Sequence, residues 1–178
     1  MSFSKQVLIA GFGGQGVLFT GKFIAYNGLF EDREVSWLPS YGPEARGGTS
    51  NCSIIVSDDP IGSPIVTNPD ILIAMNLPSL DKFEDSVVPG GKIFIDSSLI
   101  ERKVNRTDVE VYYVPATQIA SDEKLSGSAN MILLGSVLKN TDLMPYENVS
   151  TVMQKLVPAK RQNLIELNEK AIALGYNY

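Results

Sequence analysis

Gly11, Gly13 and Gly16 follow the apolar run Val7-Leu8-Ile9-Ala10 in the spacing G-x-G-x-x-G, with Gly14 and Gln15 completing the loop. Glycines so placed let a chain turn tightly after a strand, bring backbone close to an anion and open a helix whose free N–H groups face that anion. The chemistry on offer is binding, and Gly11, Gly13, Gly14, Gln15 and Gly16 are the first candidates for cofactor contact. A nicotinamide or flavin dinucleotide would also need an acid at the end of the second strand, to hold a ribose hydroxyl. Glu31, Asp32 and Glu34 precede or open that strand, and Trp37-Leu38-Pro39 ends it. A structural turn, or a site for a different anion, is the better reading.

A second constellation is Ser40-Tyr41-Gly42-Pro43-Glu44-Ala45-Arg46-Gly47-Gly48. Arg46 could pair with a carboxylate or phosphate, Glu44 could hold Arg46 or contact a partner, and Tyr41 could stack or hydrogen-bond. Composition alone leaves a surface turn with an internal ion pair equally open. Asn130, after Gly127-Ser128, either caps the following helix or touches a ligand. Cys52, within an apolar run, reads as a small core residue rather than a reactive thiol, and Trp37 as the anchor of a core edge or an interface.

The chain contains no histidine and one cysteine. That removes Ser-His-Asp and Cys-His catalysis, histidine-based zinc or iron sites, internal disulfides and a self-held iron–sulfur cluster. No catalytic or metal-ligating residue is assigned, so the hard chemistry would reside in a cofactor or another subunit. A net charge of −5 with scattered Lys and Arg argues against a nucleic-acid footprint. The opening Met-Ser-Phe-Ser-Lys leaves no room for a signal peptide before the first strand, and no apolar run approaches a membrane span. The expected location is the cytoplasm, with no membrane contact.

The elements that must position these residues follow from periodicity and breakers. A length of 178 residues fits one domain, 1–178. The apolar segment after Gly16 predicts a helix ending near Asn27-Gly28, then a strand at 34–38 in a right-handed β-α-β unit whose parallel strands lie inside the domain. Residues 39–49 carry too many Pro and Gly for a regular element and read as a loop. Further strands are expected at 51–57, 71–75, 92–96 and 109–114, with a helix at 78–86. The C-terminal third reads as helical: 129–138, then the face Val149, Val152, Met153 and Leu156, then the stripe Leu164, Leu167, Ala171 and Leu174, stopping at Gly175. The predicted class is α/β, a single three-layer Rossmann-like domain with a parallel or mixed central sheet and a helical C-terminal third.

Gly11-Phe12-Gly13-Gly14-Gln15-Gly16-Val17, the stretch from Trp37 to Gly48 and the strand Asn51-Cys52-Ser53-Ile54-Ile55-Val56-Ser57 together resemble the gamma subunit of 2-oxoacid:ferredoxin oxidoreductases. Ser128-Ala129-Asn130-Met131 and Leu134-Gly135 also follow that pattern, so nearly the whole length is covered. The resemblance implies a share in coenzyme A-dependent oxidative decarboxylation of a 2-oxoacid with reduction of ferredoxin. It implies thiamine diphosphate on alpha and beta subunits, iron–sulfur clusters on the beta or a ferredoxin-like delta subunit, and a chain inactive alone. The Tyr-Gly-Pro-Glu form at 41–44 resembles the 2-oxoglutarate branch. Coenzyme A is then the cofactor to weigh at the glycine loop, with Tyr41, Glu44, Arg46 and Asn130 as further candidate contacts. A free-standing Rossmann-type nucleotide-binding or regulatory module and a purely scaffolding subunit are the alternatives.

Overall fold

The computed structural model describes residues 1–42 and 48–178. Among these, strands β1 (Ser4–Phe12), β2 (Glu34–Tyr41), β3 (Thr49–Ser57), β4 (Ile71–Ala74), β5 (Lys92–Asp96) and β6 (Glu110–Val114) form one sheet in the order β2-β3-β1-β4-β5-β6. β1, β4, β5 and β6 run parallel, while β3 is antiparallel to both β1 and β2. The sheet is mixed and the fold α/β.

Both faces of the central strands are apolar because both are covered. Val7, Ile9, Cys52, Ile54, Ile73 and Phe94 point into one core, which they share with α1 (Val17–Phe30), α4 (Ala129–Asn140), α5 (Val149–Leu156) and α6 (Asn163–Tyr176). Leu8, Leu72, Ala74, Ile93 and Ile95 point into a smaller core closed by Leu80 of α2 (Leu77–Phe83), Val87 and Ile100. The expected three layers and the helical C-terminal third are present. A short helix α3 (Ala116–Asp122), not expected from periodicity, adds Ala116 and Ala120 to the larger core.

Three expectations need correction. β1 and β2 do run in the same direction, since each is antiparallel to β3, but β3 lies between them and β2 is the sheet edge rather than an interior strand. The presumed loop at 39–49 is partly strand: β2 continues to Tyr41, β3 begins at Thr49, and the Gly42 N–H donates to the Thr49 carbonyl at 2.7 Å. Pro39 is accommodated because an edge strand has a ladder on one side only. Gly175 does not stop the last helix, which runs to Tyr176; the residue is buried where α6 crosses the backbone of α4 at Ile132.

The connection from β5 to β6 is fastened by charge. Glu84, 5 % exposed, accepts from Arg102 Nη2 at 2.6 Å and from the Asn105 N–H at 2.8 Å, while Arg106 donates to the carbonyls of Glu84 and Val87. Removing Arg102 leaves a carboxylate buried with one donor fewer. Because that guanidinium is itself partly solvated, Arg102→Ala is expected to cost roughly 2 kcal/mol, a fall of about 4–8 °C in Tm for a chain of this size. Thermal unfolding followed by circular dichroism checks this, and an unchanged Tm contradicts it.

Candidate functional site

The chain leaves β1 through α1 toward β2 at one edge and leaves β4 through α2 toward β5 in the other direction, with α1 and α2 on opposite faces. Between the carboxyl ends of β1 and β4 the topology therefore switches, which is where open α/β sheets bind ligands. A cavity of about 510 Å³ opens there, lined by Gly14, Gln15, Met75, Leu99, Thr117 and residues 126, 127 and 129.

The glycine loop is held from several sides. Gln15 Oε1 accepts from the Phe12 N–H at 2.6 Å and Gln15 Nε2 donates to the Met75 carbonyl at 3.1 Å, so the side chain ties the end of β1 to the end of β4. Gly11 makes room for it: a Cβ there would lie 2.5 Å from Gln15 Oε1 and 3.1 Å from Met75 Cβ. The Gly13 N–H donates to the Gly48 carbonyl at 2.9 Å, which anchors the second loop's far end and commits that donor. Gly14 (φ 94°) faces open space, with no atom within 4 Å of a would-be Cβ. Gly16 sits in the left-handed region (φ 77°), and a side chain there would run into the Asn130 amide.

Asn130 is not the cap of α4, since Ser128 holds that position. Its Nδ2 donates to the Gly16 carbonyl and to Thr20 Oγ1, each at 3.2 Å, and Thr20 Oγ1 donates to the same carbonyl at 3.0 Å. The side chain, 5 % exposed, thus fixes the start of α1 against the start of α4. The structure brings together Gly11, Gly13, Gly14, Gln15, Gly16 and Asn130. Tyr41 ends the edge strand, 67 % exposed and in register with Ser50 and, across β3, with Gly11, which puts it at the same end of the sheet but one strand away from the loop. Glu44 and Arg46 lie outside the described residues.

Two polar residues at strand ends escaped the sequence reading. Asp96, fully buried at the end of β5, accepts from Thr117 Oγ1 at 2.6 Å, the Thr117 N–H at 3.3 Å and the Ser98 N–H at 3.1 Å, which orients Thr117 at the cavity wall. Asn76, after β4, caps α2 through the Ser79 N–H at 2.9 Å, while its Nδ2 has no partner among the described residues. An acid or amide closing an apolar run, followed by Ser97 in one case and by Leu77-Pro78 in the other, was the available signal. None of the described residues lining the cavity is charged. Its walls therefore suit neutral hydrogen-bonding groups, and an anion would rely on backbone N–H groups at the Gly14–α1 turn.

Cys52 and Trp37 pack on Gly21 of α1, where a Cβ would lie 2.6 Å from Sγ and 3.0 Å from Trp37 Nε1. Burial pushes the thiol up to about 12. At pH 8 alkylation of the native chain by iodoacetamide is expected to run about a thousandfold slower than that of an exposed thiol and to recover on denaturation. Rapid native labelling contradicts the packing of β2 on α1. Among the described residues no group of three or more Cys, Asp or Glu side chains could hold a metal ion, and no helix is long and apolar enough to cross a membrane.

Residues 6–178 match the family described as pyruvate ferredoxin/flavodoxin oxidoreductase. The chain is 35 % identical over 175 residues to the 2-oxoglutarate synthase subunit KorC of Methanocaldococcus jannaschii, covering 97 % of this chain and 92 % of that protein. It is 39 % identical over 170 residues to the ketoisovalerate oxidoreductase subunit VorA of Methanothermobacter thermautotrophicus, covering 96 % of this chain but only 35 % of that longer one. The crystal structure of a keto/oxoacid ferredoxin oxidoreductase gamma subunit from Geobacter sulfurreducens superposes with a TM-score of 0.82 at 26 % identity, over 97 % of this chain and 96 % of that one. With the family pattern running through glycine loop, sheet and helical third alike, the chain belongs to the pyruvate ferredoxin/flavodoxin oxidoreductase family.

Proposed function

We propose that this chain is the gamma subunit of a cytoplasmic, multi-subunit 2-oxoacid:ferredoxin oxidoreductase that converts 2-oxoglutarate and coenzyme A to succinyl-CoA and carbon dioxide while reducing ferredoxin. The observation that carries the reading is similarity along nearly the entire length to a 2-oxoglutarate synthase subunit. Alpha, beta and ferredoxin-like delta subunits are its partners. Thiamine diphosphate and iron–sulfur clusters, which supply the decarboxylation and electron transfer, belong to those partners; a chain with one buried cysteine and no histidine offers no ligand set for a cluster.

For coenzyme A the residues present do fit in part. The crevice offers exposed backbone at Gly14, a hydroxyl at Thr117 held by Asp96, and apolar walls at Met75 and Leu99, while the turn into α1 offers N–H groups to a phosphate. Gly13, whose N–H is committed to Gly48, holds the two loops together instead of contacting the cofactor. Arg46 and Glu44 lie in the chain between residues 42 and 48, outside the described residues; in this reading Arg46 would pair with the phosphate and Glu44 would orient it. In the assembled complex Arg46→Ala is expected to raise the KM for coenzyme A roughly tenfold with little change in kcat, the loss of one charge-assisted hydrogen bond. An unchanged KM leaves the loop a purely scaffolding role.

The ketoisovalerate relative favours a second reading in which the substrate is a branched-chain 2-oxoacid. Comparing kcat/KM for 2-oxoglutarate, 2-oxoisovalerate and pyruvate in the purified complex decides it. The proposal expects 2-oxoglutarate to lead by about tenfold or more.

A further inference from the structure

A cavity of about 540 Å³ lies at the far end of α4 from the glycine loop, between β6 and the C-terminal ends of α4 and α6. It is lined by Tyr112, Ser136, Lys139, Asn140, Tyr176 and Tyr178, among others. Its volume is that of an ordinary small-molecule site. Asn130 marks one end of α4 at the crevice and Lys139 and Asn140 mark the other, so the cavity is about 15 Å of helix away and a small occupant cannot reach both.

The rings in this cavity are fixed in advance. β6 closes the sheet, and its register sets Tyr112 opposite the fully buried Phe94; the two rings stack at 4.7 Å and 10°. The Tyr112 hydroxyl donates to Glu110 Oε2 at 2.7 Å, and burial together with that carboxylate pushes the phenol up to about 12, so it stays neutral. Tyr176 is braced by Tyr146 at 4.5 Å.

Cations gather around the same rings. Lys139 Nζ lies 5.0 Å from the Tyr176 ring centre and forms no ion pair with any described carboxylate, although the chain carries a net charge of −5. Lys92 Nζ lies 5.8 Å from the Tyr112 ring centre, donates to the Asn140 carbonyl at 2.5 Å and pairs with Glu110 at 3.5 Å. The Asn140 amide nitrogen is spent on the Ser136 carbonyl at 2.9 Å, which leaves the side-chain oxygen as the acceptor this residue can offer. The braced phenols, the Lys139 ammonium and the Asn140 amide line one groove. Together they suit an aromatic ring that carries negative charge at one end and a hydrogen-bond donor at the other.

We propose that this cavity is a second binding site, independent of the glycine loop, for a small flat aromatic carboxylate, with the ring against Tyr112, Tyr176 and Tyr178 and the carboxylate on Lys139. A hydroxyl on the far side of the ring donates to the Asn140 side-chain oxygen. The site is separate from the reaction proposed above, so the occupant acts as an effector or reporter ligand of the subunit and not as its substrate.

The test uses the full chain, 15N-labelled, titrated with 4-hydroxyphenylacetate and followed by amide chemical shifts. Saturable shifts are expected at residues 111–114, 136–140 and 175–178, and not at 11–16. Lys139→Gln and the uncharged probe 4-hydroxyphenylacetamide are each expected to weaken binding about tenfold, Lys139→Arg to restore it, and cyclohexylacetate to bind about tenfold more weakly than the aromatic acid. Lys139 is exposed, so these variants fold. Absence of saturation up to about 10 mM, equal binding of cyclohexylacetate or the amide, or shifts centred on the glycine loop would each overturn the proposal.

Discussion

Gly135→Ala and Gly175→Ala are each expected to lower Tm by about 6–12 °C, the equivalent of roughly 3 kcal/mol. The two glycines face each other's helices: a Cβ on Gly135 would strike the Ile172 carbonyl and lie 2.7 Å from the Tyr176 nitrogen, and one on Gly175 would strike the Ile132 carbonyl and lie 2.7 Å from its carbon. The obstructing atoms are backbone, so no rotamer change relieves them and the helices must move apart. Alanine gains about 1 kcal/mol of helix propensity over glycine, which works against the effect and is too small to cancel it. Separation would loosen Ile132 and Ile172, both fully buried in the larger core. Calorimetry on the two variants reads the result directly, and a Tm within 2 °C of the parent for both would contradict the close crossing of α4 and α6.

The second large effect is expected at Gly16. Alanine there meets two separate penalties, a left-handed backbone that disfavours any Cβ by about 1–2 kcal/mol and collision with the Asn130 amide. Removing the amide should relieve only the second. Gly16→Ala is therefore expected to cost about 3 kcal/mol, Asn130→Ala about 2 kcal/mol through its two lost hydrogen bonds, and the double variant about 1–2 kcal/mol less than their sum. Urea unfolding of the three variants measures this. Strict additivity would show that Asn130 does not press on the loop, and would return it to the role of a free ligand contact.

These residues also show what the sequence could and could not disclose. The turn at Gly11, Gly13 and Gly16 was legible because an apolar strand, a spaced glycine set and an apolar helix lie consecutively in the chain. The strands at 51–57 and 92–96 were legible for the same local reason. Strand order was not: Asn51–Ser57 alternates in the same way whether its neighbour runs with it or against it, and only long-range pairing inserts β3 between β1 and β2. Pro39 read as a breaker because its tolerance depends on being at an edge, a tertiary fact.

The same division holds in the helical third and at the candidate site. Gly175 read as a helix stop because a glycine that ends a helix and one that lets a second helix approach look alike in one dimension. Asn130 stands out in the sequence as a polar residue after Gly127-Ser128, but its partners at Gly16 and Thr20 are more than a hundred residues away in the chain. Asp96 and Asn76 were overlooked because only the folded sheet sets the ends of β4 and β5 beside the glycine loop.

The proposed function requires that this chain work only as part of a 2-oxoacid:ferredoxin oxidoreductase. It is tested most directly by 2-oxoglutarate- and coenzyme A-dependent reduction of methyl viologen, measured on the purified chain, on the complex without it and on the reconstituted complex. No turnover is expected from the chain or from the depleted complex, and activity is expected to recover when the two are mixed. Turnover by the chain alone, or full activity in its absence, would contradict it.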